Sequence, residues 1–253
     1  MEPMMKGEGL PLTLDDLRMA VSKLKNPDAE VKKEMRLDDE NVLSLLHPEA
    51  LQPYPITLSE KLRSVTITRD KLSKRYGGSP MDTFPRPRPE KVAEHGYDNF
   101  MCINLLWNPN GPQVPGHGGL FFTTCPNLED LGGWTLDAHG ARDYEITAAA
   151  ALTAEQWLAL PIKVRSCWTK NIWKKDWALQ TRARIHLRRS LVREPTAEEA
   201  QHAISGKEKY DHIRPDIIDD AFVAGEECIQ TWSMKCVGYN EALQRELIEL
   251  AKQ

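Results

Sequence analysis

The sequence predicts an α+β domain in which a small curved β-sheet or partial barrel is decorated by helices and preceded by a helical arm. Short apolar segments rich in aromatic and β-branched residues, separated by Pro- and Gly-rich turns, occupy the middle of the chain and predict strands. Helical periodicity with N-cap signals dominates before and after them. With 253 residues, of which 41% are hydrophobic, the chain can bury one sizeable core or two small ones.

Residues 1–52 are predicted to form a helical, partly flexible arm. In LTLDDLRMAVSKLK, Thr13 is a candidate N-cap, and the apolar stripe that follows it is narrow. Because much of the arm is charged, we expect it to be dispensable for folding. Residues 53–83 predict a short helix, TITRDKLSKRYGGS, closed by Gly77 and Gly78 and followed by a proline-rich linker. The α+β core domain is then expected over residues 84–253.

The core domain is predicted to contain several strands with helices around them. NFMCINLLW and GGLFFTTC predict strands separated by a loop, and GWTLDAHGARDYEI predicts a strand pair. Thr153 with Gln156, and Thr196 with Glu199, form capping boxes that each begin a helix. CIQTWSMKCVGY predicts one more strand, and NEALQRELIELAK predicts a final amphipathic helix capped by Asn240.

The segment KVRSCWTKNIWKKDWALQTRARIHLRR is strongly basic. Residues 163–193 contain ten Lys or Arg residues and one acid, so they carry +9, and the other residues carry −13, which together give the chain's −4. Apolar residues recur every four positions and predict helix, with a bend near KKDWALQ because a straight helix would rotate that stripe away from one core. RARIHLR also alternates as a strand does, but its continuation into a capped helix favours helix.

Three interpretations of the basic segment remain open: it binds a polyanion, it pairs with the acidic remainder of the chain or is a plain solvated face, or it contacts a protein partner. We expect a DNA or RNA interface whose cations lie exposed around an apolar row. The candidate residues are Lys170, Lys174, Lys175, Arg182, Arg184, Arg188 and Arg189. Replacing Arg184 and Arg188 by Ala is then expected to reduce the salt slope of duplex binding by about 2, with little change in stability.

A broader resemblance links the pieces of the core domain in order. It is carried by HGYDNFMCINLLWNPNGPQVPGHGGLFF, ARDYEI, LTAEQWLALPIKVRSCWTKNIW, RARIHLRRSLVREPTAEEA and FVAGEECIQTWSMKCVGYNEALQREL. From Phe84 to Leu250 the chain resembles an uncharacterised domain family of mushroom-forming fungi, a family that implies no activity. Members usually carry a Trp-x-Tyr-x-Gly-x-Tyr strand, of which this chain keeps Gly140 and Tyr144.

The Gly-x-Tyr strand after GLFF is also similar to strands of SRA and PUA-like modules, which hold a flipped modified base between aromatic rings. The similarity implies a concave site with stacking faces and with cations for the flanking phosphates. The candidate stacking residues are Phe121, Phe122, Trp134, Tyr144 and Trp232. A reader of methylated DNA is therefore the extended form of the hypothesis, and a place in the core is the alternative for each aromatic residue.

Catalysis has little support in the sequence, which contains no GxxxxGK[ST], GxGxxG or GxSxG motif. A nucleophile or metal group is conceivable among Cys125, His117, His139 and Asp137, but their spacing is not typical of metal ligands. The acidic pairs at residues 219–220 and 226–227 predict a solvated face rather than a two-metal nuclease site. A hydrolase or nuclease is therefore the third hypothesis, and we expect no metal and no cofactor.

The expected location of the protein is intracellular, either nuclear or cytoplasmic, and away from membranes. Five cysteines without CxxC spacing predict reduced thiols, and neither an export-type N-terminus nor a spanning apolar run is found in the sequence. The predicted function is a nucleic-acid-binding module, and the alternative is a protein-interaction scaffold with no nucleic-acid role. Salt-dependent binding separates the two, because a surface that binds phosphates releases counterions.

Overall fold

The computed structural model describes residues 14–33, 36–98, 100–106, 108–124, 136–138 and 142–253. The helices are α1 (Leu14–Lys23), α2 (Asp39–Leu45), α3 (Glu60–Arg63), α4 (Arg69–Tyr76), α5 (Pro89–His95), α6 (Ala154–Ala159), α7 (Ile162–Lys174), α8 (Leu179–Leu191), α9 (Ala197–Ser205), α10 (Pro215–Val223) and α11 (Glu241–Lys252). The strands are β1 (Phe100–Met101), β2 (Gly119–Thr123), β3 (Leu136–Ala138), β4 (Arg142–Ala148) and β5 (Gln230–Tyr239). Segments of 3₁₀ helix span Pro48–Leu51 and Asp176–Ala178. This mixture of helices and strands confirms the predicted α+β class.

The strands form one small sheet in the order β1-β3-β4-β5-β2. The longest strand, β5, is antiparallel to both β4 and β2, and β3 is antiparallel to β4. β1, at one edge, runs parallel to its neighbour β3. In the described part of the chain the sheet is open, with β1 and β2 at its edges.

The segment NFMCINLLW, predicted as a strand, forms only the two-residue β1. The strand prediction is wrong beyond Met101, and Asn104 then turns the chain. Its side-chain oxygen accepts from the Leu106 amide at 3.0 Å, and its carbonyl accepts from the Asn108 amide at 2.9 Å. Asn favours such turns because its short side chain can hydrogen-bond to backbone two residues ahead.

Helix boundaries follow the predicted caps closely. Both capping boxes are present, at Thr153 before α6 and at Thr196 before α9. Asn240 caps α11, since its side chain accepts from the Leu243 amide at 3.0 Å. Gly77 ends α4 with φ of +88°, a left-handed conformation that favours glycine. The predicted cap at Thr13 lies outside the described residues.

The two faces of the sheet contact different parts of the molecule. Trp232 and Met234 of β5 lie in one apolar cluster. On the other face, Ser233 accepts a hydrogen bond from the His47 amide at 3.0 Å, just before the 3₁₀ helix Pro48–Leu51. A Cβ at Gly118 would lie only 2.4 Å from a carbonyl of that helix and 2.5 Å from a carbonyl of β5, so glycine permits this close approach.

The N-terminal segment contributes to the core rather than extending away from it. Six of its side chains are buried in the main apolar cluster with residues of α6, α7, α8 and α10: Val21, Leu24, Val42, Leu45, Leu46 and Ala50. This packing argues against the expectation that the segment is dispensable for folding. The division of the chain into domains at residues 52 and 83 stays a prediction. Within the described ranges, no helix is both long enough and apolar enough to cross a membrane.

Candidate nucleic-acid interface

The basic segment folds into two helices separated by a bend. α7 ends at Lys174, where the backbone of Lys175 becomes extended, and the 3₁₀ helix Asp176–Ala178 leads into α8. The predicted bend and the helical interpretation of RARIHLR are both confirmed. The bend allows the apolar sides of both helices to reach the main cluster, to which Ile172 and Ala183 belong.

Arg182, predicted as an exposed phosphate contact, is buried, with only 1% of its surface exposed. Its Nε donates to the Lys209 carbonyl and its Nη1 to the Lys175 carbonyl, both at 2.9 Å. Nη1 also donates to the Ile172 carbonyl near the end of α7. Burial lowers the pKa of Arg182, because the charged form loses hydration. This guanidinium therefore connects the end of α7 with the backbone at Lys209 and is not available to a ligand.

Arg184 and Arg188 converge on one buried carboxylate, that of Glu227, whose side chain is 3% exposed. Arg184 binds this carboxylate in a bidentate manner: its Nε donates to Oε1 at 3.0 Å and its Nη2 donates to Oε2 at 2.5 Å. Arg188 reaches Oε1 from Nη2 at 3.3 Å. Burial opposes the charge on Arg184, but the hydrogen bond and attraction from Glu227 leave its pKa raised. The predicted exposure of these two arginines is wrong, because the face they share contacts the segment before β5.

Two further Arg–Glu ion pairs lie near the end of α8. Arg188 donates to Glu194 through Nε at 2.6 Å and Nη2 at 2.8 Å, which raises the pKa of Arg188 and lowers that of Glu194. Arg193 binds both carboxylate oxygens of Glu199, at 2.9 and 2.6 Å, and its hydrogen bond lowers the pKa of Glu199 to about 2. Arg188 and Arg193 are therefore paired with carboxylates of the chain itself, whereas Arg189 is exposed as predicted.

The lysines of α7 have the opposite environment. Lys163, Lys170 and Lys174 are exposed and, being seven and four residues apart, lie within about 40° of one another around the helix axis. We call these three residues the lysine face. Among the described residues, no carboxylate lies within 4.0 Å of their ammonium groups, and the same holds for the exposed Lys175. The lysine face is therefore a row of exposed positive charges without carboxylate partners in the described residues, and the ammonium of Lys174 lies 5.5 Å from the centroid of the Trp173 ring.

A shallow depression of about 360 Å³ lies beside the lysine face. It is lined by Lys32, Ile162, Lys163, Ser166, Cys167 and Lys170. Lys32 is brought there from the N-terminal segment, where its amide donates to the Leu106 carbonyl at 3.2 Å. The cations around the depression therefore come from two separate parts of the chain.

Two candidate stacking residues are core residues instead. Tyr144 is fully buried and Trp232 is 1% exposed, in the cluster on one face of the sheet. Their polar atoms have partners inside the protein, since the Tyr144 hydroxyl donates to the His117 carbonyl and Trp232 Nε1 donates to Thr123. Their burial is evidence against a stacking role, because apolar strand positions that face a second layer become core.

The other two aromatic candidates in the described residues, Phe121 and Phe122, pack against neighbouring side chains. Phe121 is buried and meets Phe84 edge to face, with ring centroids 5.7 Å apart. Phe122 is half-buried and contacts the main cluster. Trp134 lies outside the described residues. The described stacking candidates therefore do not form a base-binding pocket together.

The candidate catalytic group is not assembled in the described residues. Cys125 and His139 lie outside them, and no group of three potential metal ligands occurs within the ranges given above. Among the acidic pairs, Asp219 accepts a hydrogen bond from Trp157 Nε1 at 3.0 Å. The predicted solvated acidic face is wrong for Glu227, which is buried between two arginines.

Residues absent from the sequence-based selection also belong to this surface. Lys163 completes the lysine face, and its spacing of seven residues from Lys170 was the signal that could have identified it. Trp177 is 56% exposed at the bend between α7 and α8. Lys209 reaches the same bend, where its Nζ lies 3.2 Å from the Asp176 carboxylate. That contact joins residues 33 positions apart, so the local sequence pattern could not show it.

A comparison with protein-family models matches residues 66–250 to a domain of unknown function, DUF6697. The matched region begins after α3 and contains the whole sheet and the basic segment. Comparisons with curated proteins and with solved structures found no match. The predicted membership in an uncharacterised domain family is confirmed at this level: the chain belongs to the family of the domain of unknown function DUF6697.

Proposed function

We propose that this domain binds nucleic acid through the lysine face of α7, which contacts the phosphate backbone. The observation that carries the proposal is the row of Lys163, Lys170 and Lys174, exposed on one side of one helix without a carboxylate partner in the described residues. Along the axis these lysines are separated by about 10 and 6 Å. A row of exposed cations on this scale attracts a polyanion and displaces its counterions.

The chemistry of these residues favours contact with phosphates over contact with bases. An ammonium group on a flexible stem is a point charge that suits a phosphate, whereas specific base readout commonly uses the two-armed guanidinium of Arg. Arg182, Arg184 and Arg188 use their guanidinium groups inside the protein. We therefore propose binding that is largely independent of base sequence, to DNA or RNA, in the nucleus or cytoplasm.

The extended hypothesis, a PUA- or SRA-like pocket that reads a modified base, has less support. Tyr144 and Trp232 are core residues, which leaves Phe122 and Trp134 as its aromatic candidates. That pocket and the resemblance to fungal proteins remain predictions.

A protein-interaction scaffold is the second candidate, and one observation favours it. Leu158 and Ile162, which are 52% and 69% exposed, place apolar surface at the junction of α6 and α7, and Ile162 also lines the depression. Exposed apolar residues surrounded by a polar rim are typical of protein interfaces. This candidate predicts no salt-dependent affinity for an oligonucleotide.

The proposal is tested by titrating a fluorescein-labelled 20-nucleotide DNA, single-stranded and duplex, at several salt concentrations. Replacing Lys163, Lys170 and Lys174 by Ala should reduce the slope of log K against log salt by about 2 to 3, since each lost phosphate contact removes about one unit or slightly less. The matched control replaces Lys23, Lys61 and Lys74, which are exposed on α1, α3 and α4, and changes the net charge equally.

The control variant should keep the wild-type slope, because its lysines lie on other helices. An equal reduction in both variants would assign the affinity to net charge alone. Absence of salt-dependent binding in the wild type would reject the nucleic-acid function and leave the scaffold as the better candidate.

A further inference from the structure

Trp177 is the most exposed of the described tryptophans. It is 56% exposed, whereas Trp157 and Trp232 are each 1% exposed, and Trp168 and Trp173 are half-buried. Within the described ranges its indole has no hydrogen-bond partner. A large part of its ring surface is therefore available to a ligand.

The residues around Trp177 are mainly cationic. Lys174 and Lys175 precede it and are exposed, and Lys209 reaches the same bend through its 3.2 Å contact with Asp176. Asp176 is the only acid in residues 163–193, and Lys209 already partly neutralises it. We call Lys174, Lys175, Trp177 and Lys209 the corner. The corner continues the lysine face, with which it shares Lys174, and adds an aromatic ring to it.

The backbone of the corner is held in place from inside the protein. Arg182 donates hydrogen bonds to the Lys175 and Lys209 carbonyls, each at 2.9 Å, and thereby joins its two segments. Trp173 Nε1 adds a third connection, to the Asp211 carbonyl at 2.8 Å. A binding group attached to a rigid backbone loses less conformational freedom when a ligand binds.

We infer that the corner binds single-stranded nucleic acid, with one base stacked on Trp177 and the flanking phosphates near Lys174, Lys175 and Lys209. The inference rests on the proposed function and names its preferred substrate class. Unpaired bases expose their π-faces, whereas bases inside a duplex are already stacked on their neighbours. An aromatic residue within a positively charged track is the arrangement that binds single strands with little sequence preference.

The test compares a 20-nucleotide oligo(dT) with a 20-base-pair duplex as ligands for the wild type, Trp177→Ala and Trp177→Phe. Trp177→Ala should weaken binding of oligo(dT) about tenfold, in the range measured for loss of one base–aromatic stack, and change duplex binding less than about twofold. Trp177→Phe should keep most of the affinity, because it keeps an aromatic face. Oligo(dT) should also quench the tryptophan fluorescence of the wild type more than that of Trp177→Phe.

Each outcome decides between this inference and the proposed function. Salt-dependent binding of oligo(dT) that Trp177→Ala leaves unchanged would overturn the stacking inference and keep the lysine face as the binding surface. An equal loss for single strand and duplex would also overturn it, since Trp177 would then not distinguish the two ligands. If the wild type binds neither ligand in a salt-dependent manner, the proposed function itself fails. Equal melting temperatures of the three proteins would show that the substitutions leave the fold intact.

Discussion

α7 and α8 are adjacent basic helices that use their charge in opposite ways. The lysine face of α7 lies in solvent, whereas Arg182, Arg184 and Arg188 of α8 bind backbone carbonyls and carboxylates inside the protein. Even within α7 the one arginine, Arg165, points towards a carboxylate, that of Asp219, at 3.9 Å. Positive charge alone therefore does not identify a binding surface in this domain.

The difference follows from the chemistry of the two side chains. Guanidinium is planar, more weakly hydrated than ammonium, and presents five donors in a fixed geometry, so one buried Arg can satisfy several acceptors. Ammonium is compact and strongly hydrated, which makes its burial more costly. Arg at positions 182, 184 and 188 therefore stabilises the fold, and Lys at positions 163 and 170 remains available to a ligand.

The largest effect on stability is expected from Arg182→Met, which keeps a long apolar side chain but removes all the hydrogen-bond donors of the guanidinium group. The Ile172, Lys175 and Lys209 carbonyls would each lose a hydrogen bond, so we expect the free energy of unfolding to fall by roughly 3 kcal/mol. Urea denaturation measures this difference. The matched control, Arg189→Met on the same helix, is exposed and should change stability by less than about 0.5 kcal/mol. Similar effects of both substitutions would contradict the role given to Arg182.

A somewhat smaller loss is expected from Glu227→Gln, which leaves Arg184 and Arg188 without their shared negative partner. We expect a decrease of about 2 kcal/mol in the free energy of unfolding, because two largely buried cations lose a charged acceptor. The adjacent Glu226→Gln is the control, since its side chain is 45% exposed and only reaches Arg188 at 3.9 Å. If both variants unfold at the same urea concentration, Glu227 does not organise this cluster.

The smallest effect concerns pH and the Arg193–Glu199 pair at the surface. Because Arg193 lowers the pKa of Glu199 from 4.5 to about 2, the stability from this pair is present above pH 4.5 and is lost as the pH falls towards 2. The melting temperature of Glu199→Gln, which keeps the capping geometry, should lie slightly below that of the wild type at neutral pH. The two should converge near pH 2. A difference that persists unchanged at that pH would show that the charge of Glu199 is not its source.

Much of the helical framework could be predicted from the sequence because its signals are local. The capping boxes at Thr153 and Thr196 and the bend before α8 depend on neighbouring residues, and the structure confirms them. The partners of Arg182 and Arg184 could not be predicted in this way. Lys209 and Glu227 are 27 and 43 residues away, and only the tertiary fold brings them to α8.

The same limit applies to the aromatic residues and the N-terminal segment. The pattern of β5 identifies a strand, but it does not say that the face with Trp232 is covered by other residues. Likewise, the narrow stripe of α1 gives no sign that Val21 and Leu24 contact a core built mainly by residues after position 150. Burial depends on what covers a surface, and that information is not local.

The most direct test of the contrast between the helices measures binding and melting on two variants side by side. One variant replaces Lys163, Lys170 and Lys174 by Ala, and the other replaces Arg184 and Arg188 by Ala. We predict that the α7 variant loses about 2 to 3 units of salt slope for oligonucleotide binding and keeps its melting temperature. The α8 variant should keep the wild-type slope and melt at a lower temperature, because Glu227 is left buried without its partners. A reduced salt slope with an unchanged melting temperature in the α8 variant would contradict this account and would assign the phosphate contacts to Arg184 and Arg188.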